Sequence, residues 1–242
     1  MNELQYMALS AAAYSDLPVG NNPDTGSRWT IGELISKNKI ENYRDSLTNQ
    51  TNPQFSALSS LSNWTLIDFI PNTPSGFAAT AFRSPSGEIV FAFRGTEPST
   101  LPDLMTDVGI FMQDAYSTIS NHLDNAKNFV YSILSNPSYS GADYSFTGHS
   151  LGGAIASYMT YVTNTDDIPG VGRAVTFNAP GIGGVIETKH GVDINPRDYD
   201  GLVTDYVNEE IRLGRMSRAT LVKVVQRRAM LAIFSPFWPQ DL

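Results

Sequence analysis

Residues 144–158 read Tyr-Ser-Phe-Thr-Gly-His-Ser-Leu-Gly-Gly-Ala-Ile-Ala-Ser-Tyr, and Gly148-His149-Ser150-Leu151-Gly152 within them fits the pattern Gly-x-Ser-x-Gly. This pattern predicts a strand that turns sharply into a helix and leaves a serine hydroxyl exposed at the bend. A β-prone run precedes the motif, and small and apolar residues typical of a helix follow it from Leu151 to Val162. Glycines at 148 and 152 are expected where a Cβ would clash with nearby backbone. We therefore predict a reactive serine at position 150.

The composition is that of an ordinary soluble globular chain, with 242 residues, 41% hydrophobic and 17% charged. This length is enough for a full hydrophobic core, and we expect a single domain over residues 1–242. The formal net charge of −8 argues against a nucleic acid partner and against electrostatic docking on anionic membranes. Hydrophobic contact with a lipid surface stays compatible with that charge.

The chain contains no cysteine, which excludes disulfides, iron–sulfur clusters and a thiol nucleophile. Its N-terminus, Met1 to Gln5, lacks a basic stretch, and no apolar run is long enough to span a bilayer. We therefore expect a protein without a transmembrane segment. It is expected to be cytoplasmic, to be exported without a cleavable signal peptide, or to have had its signal removed.

Predicted strands alternate with predicted helices along the chain, which favours an α/β fold with a mainly parallel sheet flanked by helices. The predicted strands, besides the one before Ser150, are Trp64–Ile70, Phe77–Arg83, Glu88–Arg94, Arg173–Phe177, Leu202–Val207 and Thr220–Val225. The predicted helices, besides the one after Ser150, are Leu4–Tyr14, a short one capped by Thr30 with Glu33 completing a capping box, and one from Ser120 to about Ser135. Residues 42–63 are predicted to be irregular.

The turn Arg94-Gly95-Thr96 directly follows a continuously apolar strand. A serine that attacks a carbonyl needs backbone N–H donors for the oxyanion that forms. In α/β hydrolases that carry the Gly-x-Ser-x-Gly motif, one donor is the amide of the residue after the serine, which here is Leu151. The other donor comes from the loop after an earlier strand. Thr96 is the candidate for the second donor, through its N–H and its hydroxyl. The alternative is an ordinary polar turn between strand and helix.

Four stretches together carry a family resemblance: Ile89–Thr96, Asp103–Asp107, Gly148–Gly153 and Phe177–Gly181. In this order and spacing, the sequence resembles the class 3 (fungal-type) lipases and their bacterial lipase and phospholipase A1 relatives, over roughly residues 60–210. The resemblance implies an α/β-hydrolase fold and hydrolysis of lipid esters through an acyl-enzyme. No cofactor and no metal is implied. The expected partners are a lipid ester substrate and a transient lipid interface.

The same resemblance assigns roles to individual residues. It makes Ser150 the nucleophile and places Thr96 and Leu151 in the oxyanion hole. Asp107 aligns with an aspartate that braces the oxyanion-hole residue. The segment after Thr96 corresponds to the lid that covers the site of the family until it meets lipid. The alternative for Leu101–Met112 is that these residues belong to the core.

The resemblance places the catalytic acid at the end of the strand Leu202–Val207, about sixty residues after the serine. The chain offers Glu209 and Glu210 there, and a glutamate can replace aspartate in orienting a histidine. Glu210 is the first choice, and Asp205 or Glu209 are the alternatives. The acidic pair could also be a solvated turn.

Of the three histidines, none follows residue 190. His149 belongs to the Gly-x-Ser-x-Gly motif, His122 is expected to be a surface or packing residue, and His190 precedes the acid, which is the wrong order for this fold. The family histidine would fall beyond Leu242. We therefore expect a fold that lacks its C-terminal end or an inactive relative. The two hypotheses are thus a lipid esterase and a catalytically impaired protein that binds lipid or a partner.

Overall fold

The computed structural model describes residues 1–40, 53–95, 116–170, 172–207 and 223–224. Within these ranges, seven strands form one mixed sheet in chain order, β1 to β7. The first three strands pair antiparallel, and β3 to β7 are parallel. The strands are β1 Thr65–Ile70, β2 Ala79–Arg83, β3 Ile89–Phe93, β4 Tyr144–His149, β5 Arg173–Phe177, β6 Val203–Tyr206 and β7 Lys223–Val224.

Helices cover both faces of this sheet. The helices are α1 Glu3–Ala12, α2 Ile31–Ser36, α3 Pro53–Ser59, α4 Tyr116–Leu134, α5 Leu151–Thr165 and α6 Gly183–His190, with a 3-10 turn at Pro196–Tyr199. Parallel strands that follow one another as neighbours need crossovers of one hand, which places their helices on the same face. Accordingly α4, α5 and α6 share one apolar cluster with Phe91 and Phe93 of β3. Val90, which points the other way, packs with residues of α1, α2 and α3.

Helix α1 is fixed to the sheet by polar contacts with β4. The hydroxyl of Tyr6 donates to Ser145 Oγ at 3.0 Å, and Thr147 Oγ1 donates to the carbonyl of Tyr6 at 3.3 Å. Phe146, between these two residues of β4, lies in the cluster on the opposite face. Side chains alternate along a strand, so His149 at the end of β4 falls on the α1 face.

Most elements lie where the sequence predicts them, and Thr30 and Glu33 form the predicted capping box. Residues 42–63 are an exception, because α3 occupies Pro53–Ser59 where an irregular segment is predicted. The expected helix start at Ser120 is also wrong. Helix α4 begins at Tyr116, and Ser120 Oγ accepts a hydrogen bond of 2.7 Å from Lys189 of α6 instead of capping.

Several predicted features lie outside the described residues. These are Thr96, Asp107, the Leu101–Met112 segment, Glu209 and Glu210. None of the helices in the described ranges has the length and apolar character that crossing a bilayer requires.

Candidate active site

Ser150 stands at the junction of β4 and α5 in a backbone conformation that L-residues rarely adopt. Its φ of 53° and ψ of −125° reverse the chain between strand and helix. The turn is held on both sides, because the Ser150 amide donates to the carbonyl of Phe177 at 3.0 Å. The Ser150 carbonyl accepts from the amides of Gly153 and Ala154 at 2.9 and 3.1 Å. The sharp strand-to-helix bend predicted from the motif is therefore present.

The glycines of the motif are required by close backbone contacts. A Cβ on Gly148 would lie 2.3 Å from the carbonyl carbon of Gly152. A Cβ on Gly152 would lie 2.1 Å from the carbonyl oxygen of Phe93 in β3. Real Cβ atoms do not approach backbone this closely, so the bend packs against itself and against β3 only with glycine at both positions.

The Ser150 hydroxyl has no hydrogen-bond partner among the described residues, and it does not cap α5. Ser150 is only partly buried, whereas the neighbouring residues His149 and Leu151 are buried. The first N–H groups of a helix lack partners within the helix and carry a partial positive charge. Leu151 is the first residue of α5, so its amide is one of these N–H groups.

On one side, the bend meets the residues that follow β3, which we call the β3 side. Gly95 lies so close to the bend that a Cβ on it would stand 2.6 Å from the carbonyl oxygen of His149. The amide of Gly95 donates to the hydroxyl of Tyr14 at 3.0 Å. The guanidinium of the buried Arg94 lies over the Tyr14 ring, 5.5 Å from its centroid. Gly95 is the last described residue before Thr96.

On the other side, the bend meets the residues that follow β5, which we call the β5 side. Asp205 of β6 is buried with 2% of its surface exposed, and its Oδ1 accepts from Thr176 Oγ1 at 2.8 Å and from the Ala179 amide at 3.1 Å. Asn178 has a φ of 50° and donates its amide to Tyr206 at 2.9 Å. The Asp205 carboxylate thus anchors the loop against the bend.

This position bears on Asp205 as an alternative catalytic acid. Asp205 lies on β6, two strands from β4, which corresponds to about 10 Å across the sheet. One carboxylate oxygen is already engaged by a hydroxyl and an amide of β5 and its loop. Asp205 therefore holds β5 and its loop through these hydrogen bonds. Glu210 stays the first choice for the catalytic acid, as a prediction.

The three histidines occupy three different places. His149 is buried at the end of β4 on the α1 face. His122 of α4 is buried as well, and its Nε2 lies 2.8 Å from the carbonyl oxygen of Ser75. His190 ends α6, and its Nε2 lies 3.3 Å from the hydroxyl of Tyr158. The expectation that His122 is a packing residue is confirmed.

His190 rests on the flank of α5, away from its start. Tyr158 follows Ser150 by eight residues, which is about 12 Å along the helix axis. The His190 ring packs edge-on against Tyr161 with centroids 5.3 Å apart. Burial lowers the pKa of His190, and the charges of Lys189 and Lys127 lower it further. The imidazole of His190 thus packs against Tyr158 and Tyr161, away from Ser150.

The sequence gives no sign of the contact between Tyr14 and Gly95, which are 81 residues apart. A tyrosine just after a helix of ordinary amphipathic pattern carries no functional signal by itself. Across the described ranges, no three acidic or histidine side chains are grouped so that they could hold a metal ion.

The parallel order of β3 to β6, the serine bend between β4 and α5 and the glycine turn after β3 define a lipase-like α/β hydrolase. This class hydrolyses carboxylic esters. Residues 41–206 match the phospholipase-like family described as the Tle-like phospholipase domain. The match spans more than half of the chain, so the chain belongs to this family. The predicted resemblance to lipases with a hydrolase fold is confirmed.

Similar solved structures include three fungal lipases. The Lip2 lipase from Yarrowia lipolytica is 15% identical with a TM-score of 0.47, and the match covers 84% of this chain and 69% of that one. Lipase II from Rhizopus niveus is 16% identical with a TM-score of 0.49, covering 85% and 69%. The Rhizomucor miehei triacylglyceride lipase is 17% identical with a TM-score of 0.47, covering 86% and 71%. The search of curated proteins found no match.

Proposed function

We propose that this chain is a serine esterase that hydrolyses lipid esters, either phospholipids in the manner of a phospholipase A1 or triacylglycerols. The observation that carries the proposal is the bend at Ser150, where a hydroxyl without a partner among the described residues stands at the start of α5. The family match supports the lipid substrate, since the matched domain is named as a phospholipase.

The reaction would proceed by acyl transfer. Ser150 Oγ attacks the ester carbonyl carbon while its proton passes to a general base, and the carbonyl oxygen becomes an oxyanion. The Leu151 amide stabilises that charge, and Thr96 is proposed as the second donor. Collapse of the tetrahedral intermediate breaks the ester C–O bond and releases the alcohol, which takes the proton from the base. Water then attacks the acyl-enzyme, and the fatty acid leaves.

The general base is the part of this mechanism that the chain's histidines do not supply. His122 is bonded to the carbonyl of Ser75 in the loop between β1 and β2, His190 is bonded to Tyr158 on the flank of α5, and His149 faces α1. We therefore propose that the isolated 242-residue chain reacts slowly and that an external base accelerates it. Glu210 is proposed as the acid that would orient such a base.

A second candidate function follows from the same placement of the histidines. A hydrolase fold without a base at its serine could bind a lipid ester without cleaving it. This candidate predicts binding to lipid vesicles with no release of fatty acid, whether or not a base is added.

The two candidates are separated by measuring fatty acid release from phosphatidylcholine vesicles and from triolein emulsions, with and without imidazole. We expect slow release that imidazole raises in a concentration-dependent manner and that Ser150→Ala abolishes. A fluorophosphonate probe should label the wild-type chain and not Ser150→Ala. Equal release by both proteins would overturn the role of Ser150. An absence of both release and labelling would favour the binding protein.

A further inference from the structure

We infer that Tyr14 is a positioning residue for the oxyanion hole, because its hydroxyl fixes the peptide of Gly95 against the serine bend. The inference rests on the proposed function, since it assigns a role in the same reaction. It concerns a residue outside the four stretches that carry the family resemblance.

The contact joins two elements that the sequence does not connect. Tyr14 directly follows the C-cap residue of α1, and its hydroxyl accepts a 3.0 Å hydrogen bond from the Gly95 amide. The ring is itself fixed, because the Arg94 guanidinium lies over it at 5.5 Å from the centroid. A cation at this distance is attracted to the face of an aromatic ring. The phenol is therefore held at both its face and its oxygen.

Space around Gly95 shows how tightly the peptide is placed. A Cβ on Gly95 would lie 2.6 Å from the His149 carbonyl oxygen and 2.7 Å from the Tyr14 hydroxyl. The His149 carbonyl belongs to the bend and the Tyr14 hydroxyl to the residue after the α1 C-cap, and both lie next to the Cα of Gly95. The Gly95 peptide thus lies between the phenol and the residue before the nucleophile, which sets the position at which the chain leaves β3.

This position matters for the proposed reaction because oxyanion donors act only at short range. A donor must stand about 2.7–3.1 Å from the developing charge, and loss of one donor lowers kcat by about 10²–10³. The residue after Gly95 is Thr96, the proposed second donor. A shift of the Gly95 peptide would be passed on to the next amide, and it would weaken transition-state binding without altering ground-state binding.

The chain offers a matched control in Tyr6. Tyr6 lies on α1, its hydroxyl also takes part in a 3.0 Å hydrogen bond, and its side chain is also partly buried. Its partner is Ser145, the second residue of β4 and five residues before the proposed nucleophile. Tyr6→Phe and Tyr14→Phe each remove one hydroxyl that ties α1 to the sheet, but only Tyr14→Phe touches the Gly95 peptide.

The experiment compares Ser150-dependent hydrolysis by the wild type, Tyr14→Phe and Tyr6→Phe with imidazole present. We expect Tyr14→Phe to lower kcat about tenfold with KM unchanged, a smaller loss than removal of a donor. Tyr6→Phe should stay within about twofold of the wild type. Equal kcat in both variants, or a change in KM alone, would overturn the inference.

A second measurement tests the contact without using catalysis. Amide hydrogen exchange at Gly95, followed by NMR, should be at least about tenfold faster in Tyr14→Phe and unchanged in Tyr6→Phe. If the wild type shows no Ser150-dependent hydrolysis, the proposed function fails and this exchange rate decides the inference alone. Unchanged exchange at Gly95 in Tyr14→Phe would then overturn it.

Discussion

The β3 side and the β5 side of the serine bend are both held by a side chain from a distant part of the sequence, but by different chemistry. On the β3 side, a neutral phenol accepts one hydrogen bond from the Gly95 amide. On the β5 side, the buried Asp205 carboxylate accepts hydrogen bonds from the Thr176 hydroxyl and from the Ala179 amide. Hydrogen bonds to a charged acceptor are about twice as strong as neutral ones.

The steric contacts differ in the opposite direction, because the closer and more rigid contact is on the β3 side. The β3 side presents a rigid backbone carbonyl to Gly152, whereas the β5 side presents the methyl group of Ala179 to Gly153. The β5 side is thus fixed by electrostatics and the β3 side by close backbone packing. We conclude that perturbing the β5 side should act mainly on stability, and perturbing the Tyr14 contact should act mainly on turnover.

The largest expected effect compares Gly152→Ala with Gly153→Ala. In Gly152→Ala the new Cβ would lie 2.1 Å from the Phe93 carbonyl, and we expect a loss of more than about 4 kcal/mol or no folded protein. In Gly153→Ala the closest atom is the Ala179 Cβ at 2.7 Å, and a shift of that loop limits the loss to about 2 kcal/mol. Urea denaturation followed by circular dichroism measures both.

Gly184→Ala is the control for this pair, because nothing lies within 4 Å of its Cβ position in α6. It should leave stability unchanged or raise it by about 0.5 kcal/mol. A greater loss of stability for Gly153→Ala than for Gly152→Ala would show that the more rigid contact is on the β5 side.

The second prediction concerns Asp205. In Asp205→Ala the Thr176 hydroxyl and the Ala179 amide both lose a buried acceptor, and the free energy of unfolding should fall by about 3 kcal/mol. Asp205→Asn keeps an acceptor oxygen, so its loss should be about 1 kcal/mol. Chemical denaturation of the two variants at neutral pH is the measurement, and equal losses would show that the acceptor geometry does not matter.

A smaller effect is expected for the stability of Tyr14→Phe. This change removes the neutral hydrogen bond from the Gly95 amide and keeps the ring under Arg94, and for the loss of that bond the free energy of unfolding should fall by about 1 kcal/mol. Tyr6→Phe should lose a similar amount in the same urea titration. A loss well above that of Asp205→Ala would contradict the contrast between the two sides.

The smallest expected effect is the pH dependence of stability caused by His190, which belongs to neither the β3 side nor the β5 side. Burial, together with Lys189 and Lys127, lowers its pKa below the ordinary value of 6.5, against the opposing pull of Asp166 and Asp124. Because His190 binds a proton less readily in the folded chain than in the unfolded chain, it stabilises the fold above pH 6.5. This stabilisation is lost as the pH falls through the lower pKa of the folded state.

Thermal unfolding between pH 5 and 7 tests this effect on wild type and His190→Gln. The wild type should gain stability with rising pH relative to the variant, and turnover should be unchanged because His190 lies on the flank of α5. A relative gain toward low pH would show that the pKa is raised instead.

Much of the bend could be predicted from sequence because its determinants are local. The strand before Ser150, the helix after it and the glycines that permit both lie in one continuous stretch, residues 144–165, and the structure has them as predicted. The same holds for β5, whose bounds match the prediction of Arg173–Phe177.

Other features depend on contacts that no local pattern shows. Helix α3 lies in a polar stretch, and its neighbours α1 and α2 share the apolar cluster in which Leu58 and Leu61 are buried. Ser120 looks like a helix cap, but Lys189 occupies its hydroxyl within α4. Asp205 and Tyr14 act on the bend across the sheet, and only the pairing of β5 with β6 and the docking of α1 bring them there.

The torsion angles of Ser150 have a consequence for thermal stability. A φ of 53° with a ψ of −125° is comfortable for glycine and costs other residues about 1–3 kcal/mol. Ser150→Gly should therefore melt at a higher temperature than the wild type while losing its hydroxyl. Under the proposed function, the bend is less stable with serine than it would be with glycine because the reaction needs a hydroxyl at this position.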